Sequence, residues 1–571
     1  MIGVLAKTVD RQIVAEFFEL FKTPWEFYRT NGEYDVVIST NGDIPKVPVR
    51  LLIQYSSNLL QSDSEHSINI AVTHHMTMLQ DASRRFPIYG KVAVFEDSGE
   101  ELVTAARDLG VVALRIGTTD GQVIRAGFDL FDEVTYLLSK GQPAEYAPIP
   151  TLDVHIAMLR KWILEAGIPV VEIPPVPMDY NFIACLTHDV DFAGIRHHKF
   201  DHTMWGFVYR ALFRSLADTL RKKLTIAKML KNWQAVISLP LVYFGLRKDF
   251  WLEFEKYQEI EGQFRSTFFL IPFKNRMGTH VSAPNAGRRA TRYDIDDISE
   301  VARKLNKEGW EIGLHGIDAW HSAKSAQTEV NRIAEVIGQK EIGNRIHWLC
   351  FNGESPGALE SAGISYDSTL GYNNAVGFRN GTTQVFRLLG AKTLPELPLH
   401  LQDVALLGRG AMNLSDEQAW RVCTTLFDHV LTFGGVVTIL WHMRSLAPER
   451  LWDDFYIKLL EEIRNRNGWV ETASKVVNWF AMRRNFVFAK LSWKDEALKI
   501  DASGQLDSAI PSLKVRVYFP RQIDSAQPKG AVRYVDVPWS GEQQIEIDLK
   551  ETLALHRVVP AHNTSDFSDC F

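Results

Sequence analysis

Three strand-like apolar runs in this chain end in residues that bind cations, and that pattern constrains the fold more than any other feature. Phe182-Ile183-Ala184-Cys185-Leu186 leads into Thr187-His188-Asp189-Val190-Asp191, Glu311-Ile312-Gly313-Leu314 ends in His315, and Val436 to Leu440 ends in Trp441-His442. Each run reads as a buried strand. Residues i and i+2 of a strand point the same way, so Asp189 and Asp191 share one face while Val190 packs behind them. Two acids on one face are costly unless they share a cation or a proton. Parallel α/β architectures gather such groups where the carboxyl ends of their strands converge, so the three strand ends define a candidate active site.

At 571 residues, with 46% hydrophobic and 23% charged, the chain is too long for one core and has ordinary globular composition. A net charge of −6 gives no global field for nucleic acid, which is not expected as a partner. Cys185, Cys350, Cys423 and Cys570 are far apart, which argues against a disulfide framework or a cysteine zinc site. Met1 to Lys7 lacks a signal-peptide pattern, and the longest apolar stretch, Ala235 to Leu246, contains Pro240 and is too short to span a bilayer. The expected location is cytoplasmic, with peripheral contact at the inner face of the membrane as an extension of that reading.

Residues 1–150 alternate apolar runs (Ile2 to Ala6, Tyr34 to Ser39, Val49 to Gln54, Lys91 to Phe95, Val111 to Ile116) with amphipathic segments, as an accessory α/β domain does, and no Gly-rich phosphate loop follows any run. Lys140 to Pro150 reads as a linker. Residues 151–484 alternate strands and helices, favouring a mainly parallel sheet or barrel, with further strands at Ser266 to Ile271, Asn344 to Leu349, Val385 to Leu389 and Glu396 to Pro398. Residues 485–571 change to alternating strands such as Val515 to Phe519 and Gln544 to Leu549, a small β domain.

The ordered motifs from Ile183 to Phe480 resemble those of the polysaccharide deacetylases (NodB-homology, carbohydrate esterase family 4). Thr187 to Asp191 is similar to that family's first motif, Ser266 to Ile271 to the strand that follows, and His315 to the first histidine of the second motif. Arg345-Ile346-His347-Trp348 looks like its Arg-Pro-Pro-Tyr motif, and Leu440-Trp441-His442 like its final Leu-x-His. The resemblance implies a distorted (β/α) barrel flanked by the two smaller domains. It also implies a divalent metal, zinc being the expected ion, and hydrolysis of an N-acetyl, or secondarily O-acetyl, group on a sugar or glycan. Asp189 would be the general base, Asp191 and His315 metal ligands, Arg345 the partner of Asp189, and His442 the general acid.

One position departs from the family. The second motif usually carries another histidine four residues after the first, and here that residue is Ala319. If a helix starts at His315, Asp318 lies on its face; if the segment is a loop, His321 can swing in. Both stand as third-ligand candidates beside a site with weak or absent metal. Asp403 is a candidate to orient His442, His347 and Trp348 to line the cleft, and Tyr366 to Tyr372 with Gly377 to Arg379 either a sugar-binding wall or packed loop. The Arg196-His197-His198-Lys199 stretch with His202 has the residue types to bind a metal, but as a basic loop it reads as solvated or phosphate-facing.

A helical insertion is expected at about 196–260. Between Trp205 and Trp233 an apolar face at Trp205, Val208, Leu212, Leu216, Leu220, Leu224 and Ala227 is set against Arg210, Arg214, Arg221, Lys222, Lys223, Lys228 and Lys231, with Asp218 the single acid. This describes a basic helix or helix pair, either docked on an anionic membrane surface or packed on the core with a solvated basic face. The favoured function is deacetylation of a surface-polysaccharide or lipid-linked precursor. The alternatives are a non-catalytic glycan-binding or membrane-docked assembly protein, or a hydrolase of another amide or imide.

Overall fold

A computed structural model describes the chain except residues 83, 97–98, 106–108, 119–120, 280–285, 495–496, 521–531, 549–556 and 560–571. Cys570 and the end of the run at Gln544 to Leu549 lie outside the described residues. The chain is mixed α/β. Its central sheet is parallel, in the order Asn344–Ile346, Glu311–Gly316, Thr267–Leu270, Phe182–Val190, Val436–Leu440, Leu401–Gln402. Gly468–Glu471 pairs with the first half of Phe182–Val190, and Thr267–Leu270 with its second half. All nine residues of Phe182–Val190 are buried, as expected of a strand covered on both faces.

Phe386–Arg387 and Pro395–Glu396 form a short antiparallel ladder rather than strands of the parallel sheet. The stretch 367–402 touches both edges of the parallel sheet. Asn344 bridges to Asp367 and Asp367 to Glu396, while Leu401 pairs with Ile439.

Residues 2–126 form a nine-stranded sheet among the described residues. Five strands, including Ile2–Leu5, Val36–Ser39 and Leu51–Tyr55, run parallel. The rest, Ile70–Gln80, Arg85–Phe95, Glu100–Ala105 and Gly110–Gly117, form an antiparallel half. C-terminal residues add two antiparallel ladders. One holds Leu513–Phe519, Val532–Trp539 and Arg557–Val559 and takes in Val170–Glu172; the other joins Val487–Lys494, Ala497–Ser503 and Gln544–Asp548. Buried Arg483 donates to the carbonyls of Ile173, Glu19 and Leu20, tying the N-terminal helix Arg11–Phe21 to the helix Ala473–Asn485.

The insertion is a helix pair. His202–Tyr209 continues through a π-helical turn, Arg210–Arg214, into Ser215–Leu220, and Ile226–Tyr243 follows. The buried stripe differs from the one expected. Met204, Phe207, Ala211 and Ser215 face the body, whereas Trp205, Leu216 and Leu220 are exposed. Both sides of this helix carry apolar residues at helical spacing, so periodicity alone selects neither. No helix among the described residues is long and apolar enough to cross a membrane.

Candidate active site

The carboxyl ends of the central strands open on a cleft of about 200 Å³ lined by Asp189, Asp191, His315, His347, His442 and Trp348, among others. Strand alternation puts Thr187, Asp189 and Asp191 on the cleft side. His188 points the other way, fully buried. Its Nδ1 donates to the Trp441 carbonyl (2.8 Å) and its Nε2 lies 2.8 Å from Glu261 Oε1. Tyr257 Oη donates to the His442 carbonyl (2.8 Å), so the backbone carrying His442 is held from behind by two rings.

Arg345 is fully buried and places its fork beneath Asp189. Nη1 donates to Asp189 Oδ1 (3.1 Å) and Thr187 Oγ1 (2.7 Å), Nε to the Ser368 carbonyl (2.9 Å) and Nη2 to Ser368 Oγ (2.8 Å). His442 Nδ1 is 2.6 Å from Asp403 Oδ1, and Asp403 Oδ2 accepts the His442 amide (2.7 Å) and the Ser445 hydroxyl. Burial alone would lower His442, but the Asp403 charge and hydrogen bond raise it to about 9. Asp403 is itself held below the usual carboxylate range: burial pushes it up, and His442 outweighs that.

Asp191, His315 and His347 form a group that could hold a cation, each offering an atom within 4.8 Å of the others. The Nε2 atoms of His315 and His347 are each 3.3 Å from Asp191 Oδ1. His315 Nδ1 donates to the Arg345 carbonyl (2.9 Å), which leaves a lone pair on Nε2. Burial drives His347 down to about 3, so its ring is neutral. Burial raises Asp191, but His347, His315 and His442 together hold it below the ordinary range. Asp191 Oδ1 is buried without a hydrogen bond. A carboxylate oxygen facing imidazole lone pairs in a buried site is the donor set of a divalent ion, and these residues fit one. Outer support is uneven, since His347 Nδ1 is buried without a hydrogen-bond partner.

Neither third-ligand candidate joins this group. No helix starts at His315: the strand runs to Gly316, a turn follows, and the helix begins at Ala323. The turn directs Asp318 at Thr279, whose amide (3.1 and 3.0 Å) and hydroxyl (2.7 Å) it accepts. His321 packs beside Trp320 and does not line the cleft. His347, rather than either of these two, lies with Asp191 and His315.

The residues after His347 adopt left-handed backbone conformations, Trp348 at φ 66° and Leu349 at φ 53°, which are costly for side chains of this size. That turn brings Trp348 and Leu349 to the cleft wall, where Asn373 Nδ2 donates to the Trp348 carbonyl (3.2 Å). Asn373, just beyond Tyr366 to Tyr372, borders the cleft, and none of the residues weighed as a sugar wall does. Tyr366 and Tyr372 instead use their hydroxyls on Glu311 and the Gln142 carbonyl, and Phe378 is core. In the His-rich stretch His198 Nδ1 pairs with Asp201 (2.8 Å) and its ring packs on Trp251.

No family model matches the chain, and no curated protein matches it. Solved structures do. A protein described as a polysaccharide deacetylase from Mycobacterium smegmatis has 17% identity and a TM-score of 0.32, over 54% of this chain and 95% of that one. One from Pseudomonas aeruginosa has 13% and 0.33, over 54% and 93%. The Puue allantoinase has 13% and 0.32, over 54% and 93%.

Proposed function

We propose that this chain is a metal-dependent hydrolase that removes an N-acetyl group, or secondarily an O-acetyl group, from a sugar in a surface-polysaccharide or lipid-linked precursor. The observation that supports it is the convergence in one cleft of Asp191, His315 and His347, flanked by an Asp189–Arg345 pair and a His442–Asp403 pair. The motif order in the sequence points the same way, and the segment linking Asn344, Asp367 and Glu396 to Val436–Leu440 suits a distorted barrel.

Asp191, His315 and His347 would hold the ion. Bound there, a divalent ion such as zinc acidifies water and polarises an acyl oxygen. Asp189 then serves as general base, with Arg345 fixing its orientation. His442 serves as general acid. Held as an imidazolium at neutral pH by Asp403, it presents Nε2 to the cleft and donates its proton to the departing amine. Asp403 acts through His442 and is a positioning residue.

The test is metal analysis of purified wild type beside Asp191→Ala, His315→Ala and His347→Ala, followed by acetate release from N-acetylated sugar donors. Near-stoichiometric zinc that is lost in all three variants, with acetate released by wild type alone, is the expected result. A wild type that holds no divalent ion after reconstitution overturns the proposal.

A further inference from the structure

The helix pair of the insertion leaves two apolar stripes uncovered. Trp205, Tyr209, Phe213, Leu216 and Leu220 follow one another along the first helix, the π-helical turn shifting their phase by one residue. Ile226, Leu230, Ile237 and Leu241 run along the second and lead to Phe244. Exposure along the stripes ranges from 39% at Leu216 to 80% at Phe244. The buried faces of both helices (Phe207, Ala211, Ala235, Leu239, Val242) close on one core with Trp251, so both stripes point away from it. Single exposed apolar residues are ordinary, but ten of them along two neighbouring helices are not.

The charge around the stripes identifies what covers them. Residues 202–248 hold nine Lys and Arg against one acid, Asp218, in a chain whose net charge is −6. Asp218 is already paired with Arg409. Arg221, Lys222 and Lys223 stand exposed at the turn between the helices, and these with Lys231 and Arg247 have no ion-pair partner among the described residues. A second copy of the chain would bring the same positive charge to the same face. An anionic bilayer surface accepts the apolar side chains below its headgroups and the cations among them.

We infer that the helix pair is a membrane-docking element that lies in the surface of an anionic bilayer without crossing it. It is fixed to the rim of the cleft: Arg210 Nε donates to Glu449 (2.8 Å), the Glu449 amide donates to Asn232 (2.6 Å), and Glu449 also pairs with Arg444, a residue of the cleft wall. Docking therefore holds the cleft beside the headgroup layer. The consequence for substrate, that the acetylated sugar is presented on a lipid carrier, rests on the hydrolase reading; the docking itself does not.

Flotation of the full chain with vesicles of phosphatidylcholine alone, or of phosphatidylcholine with phosphatidylglycerol, tests it. Wild type is expected to float with the anionic vesicles only. Replacing Arg221, Lys222 and Lys223 by Glu should weaken that binding about a hundredfold. Trp205→Ser with Phe213→Ser and Ile237→Ser should weaken it at least about tenfold without changing the melting curve, since all three side chains are exposed. A wild type that stays with the unbound fraction, or variants that bind as wild type does, overturns the inference. So does a wild-type dimer that the apolar variants split, which would give the face to a second copy. Flotation without acetate release keeps the docking element and removes the hydrolase; acetate release without flotation does the reverse.

Discussion

Replacing Arg345 by Met tests whether the pair beneath the cleft acts through charge or through shape. The guanidinium is fully buried, makes four hydrogen bonds and stacks over Phe269 at 4.6 Å. Met fills similar volume, so the packing loss is small. What it removes is the countercharge of Asp189, which is 3% exposed, and the donors to Ser368. Stranding a buried carboxylate costs about 3–5 kcal/mol. In an Asp189→Asn background no charge is stranded, and the same replacement should cost about 1–2 kcal/mol, from the acceptors on Ser368 and Thr187 that lose their donor. Hydrogen-exchange protection of the Phe182–Val190 amides reads this locally, which matters in a chain with several sheets. Equal costs in the two backgrounds, with coupling under about 0.5 kcal/mol, would refute a charge-based role for Arg345.

Asp318→Ala and His321→Ala should leave the zinc content of the protein at the wild-type level, because neither side chain lines the cleft; elemental analysis checks this. Gly343→Ala should destabilise by about 3 kcal/mol in urea unfolding, since the new methyl would sit 2.0 Å from Tyr366 Cζ, in a ring anchored to Glu311. Glu133 is buried, accepts the Tyr89 and Gly90 amides at 2.9 and 2.6 Å, and is pushed up to about 7 by burial against those bonds. Its folded-state pKa exceeds the unfolded value. Its contribution is therefore full below about pH 4.5 and is lost as pH rises through about 7, a span worth about 3 kcal/mol. Glu133→Gln should flatten that part of the stability profile, measured by unfolding between about pH 5 and about pH 8.

What the sequence made legible, and what it hid, follows from which interactions leave a mark on local pattern. Fully buried parallel strands are continuous apolar runs, so Phe182–Val190 and Val436–Leu440 announce themselves with their terminal Asp and His. The antiparallel half of the first sheet is quieter, because Ile70–Gln80 is largely exposed and carries His74 and His75 among its apolar residues. The insertion misleads for the opposite reason: both faces are apolar, and only the fold decides which is covered.

His347 is the instructive case. The alternation that pairs Asp189 with Asp191 also pairs Arg345 with His347 at the end of the strand beside His315, and the structure matches them in order, Arg345 to Asp189 and His347 to Asp191. Reading His347 by its place in a borrowed motif set it on the cleft wall. Reading it by strand geometry puts an imidazole beside the very carboxylate that lacks a second histidine in the turn after His315. His347 is the residue directly after Ile346, where the ladder between Leu314 to Gly316 and Asn344 to Ile346 ends, so its backbone leaves a strand anchored beside His315.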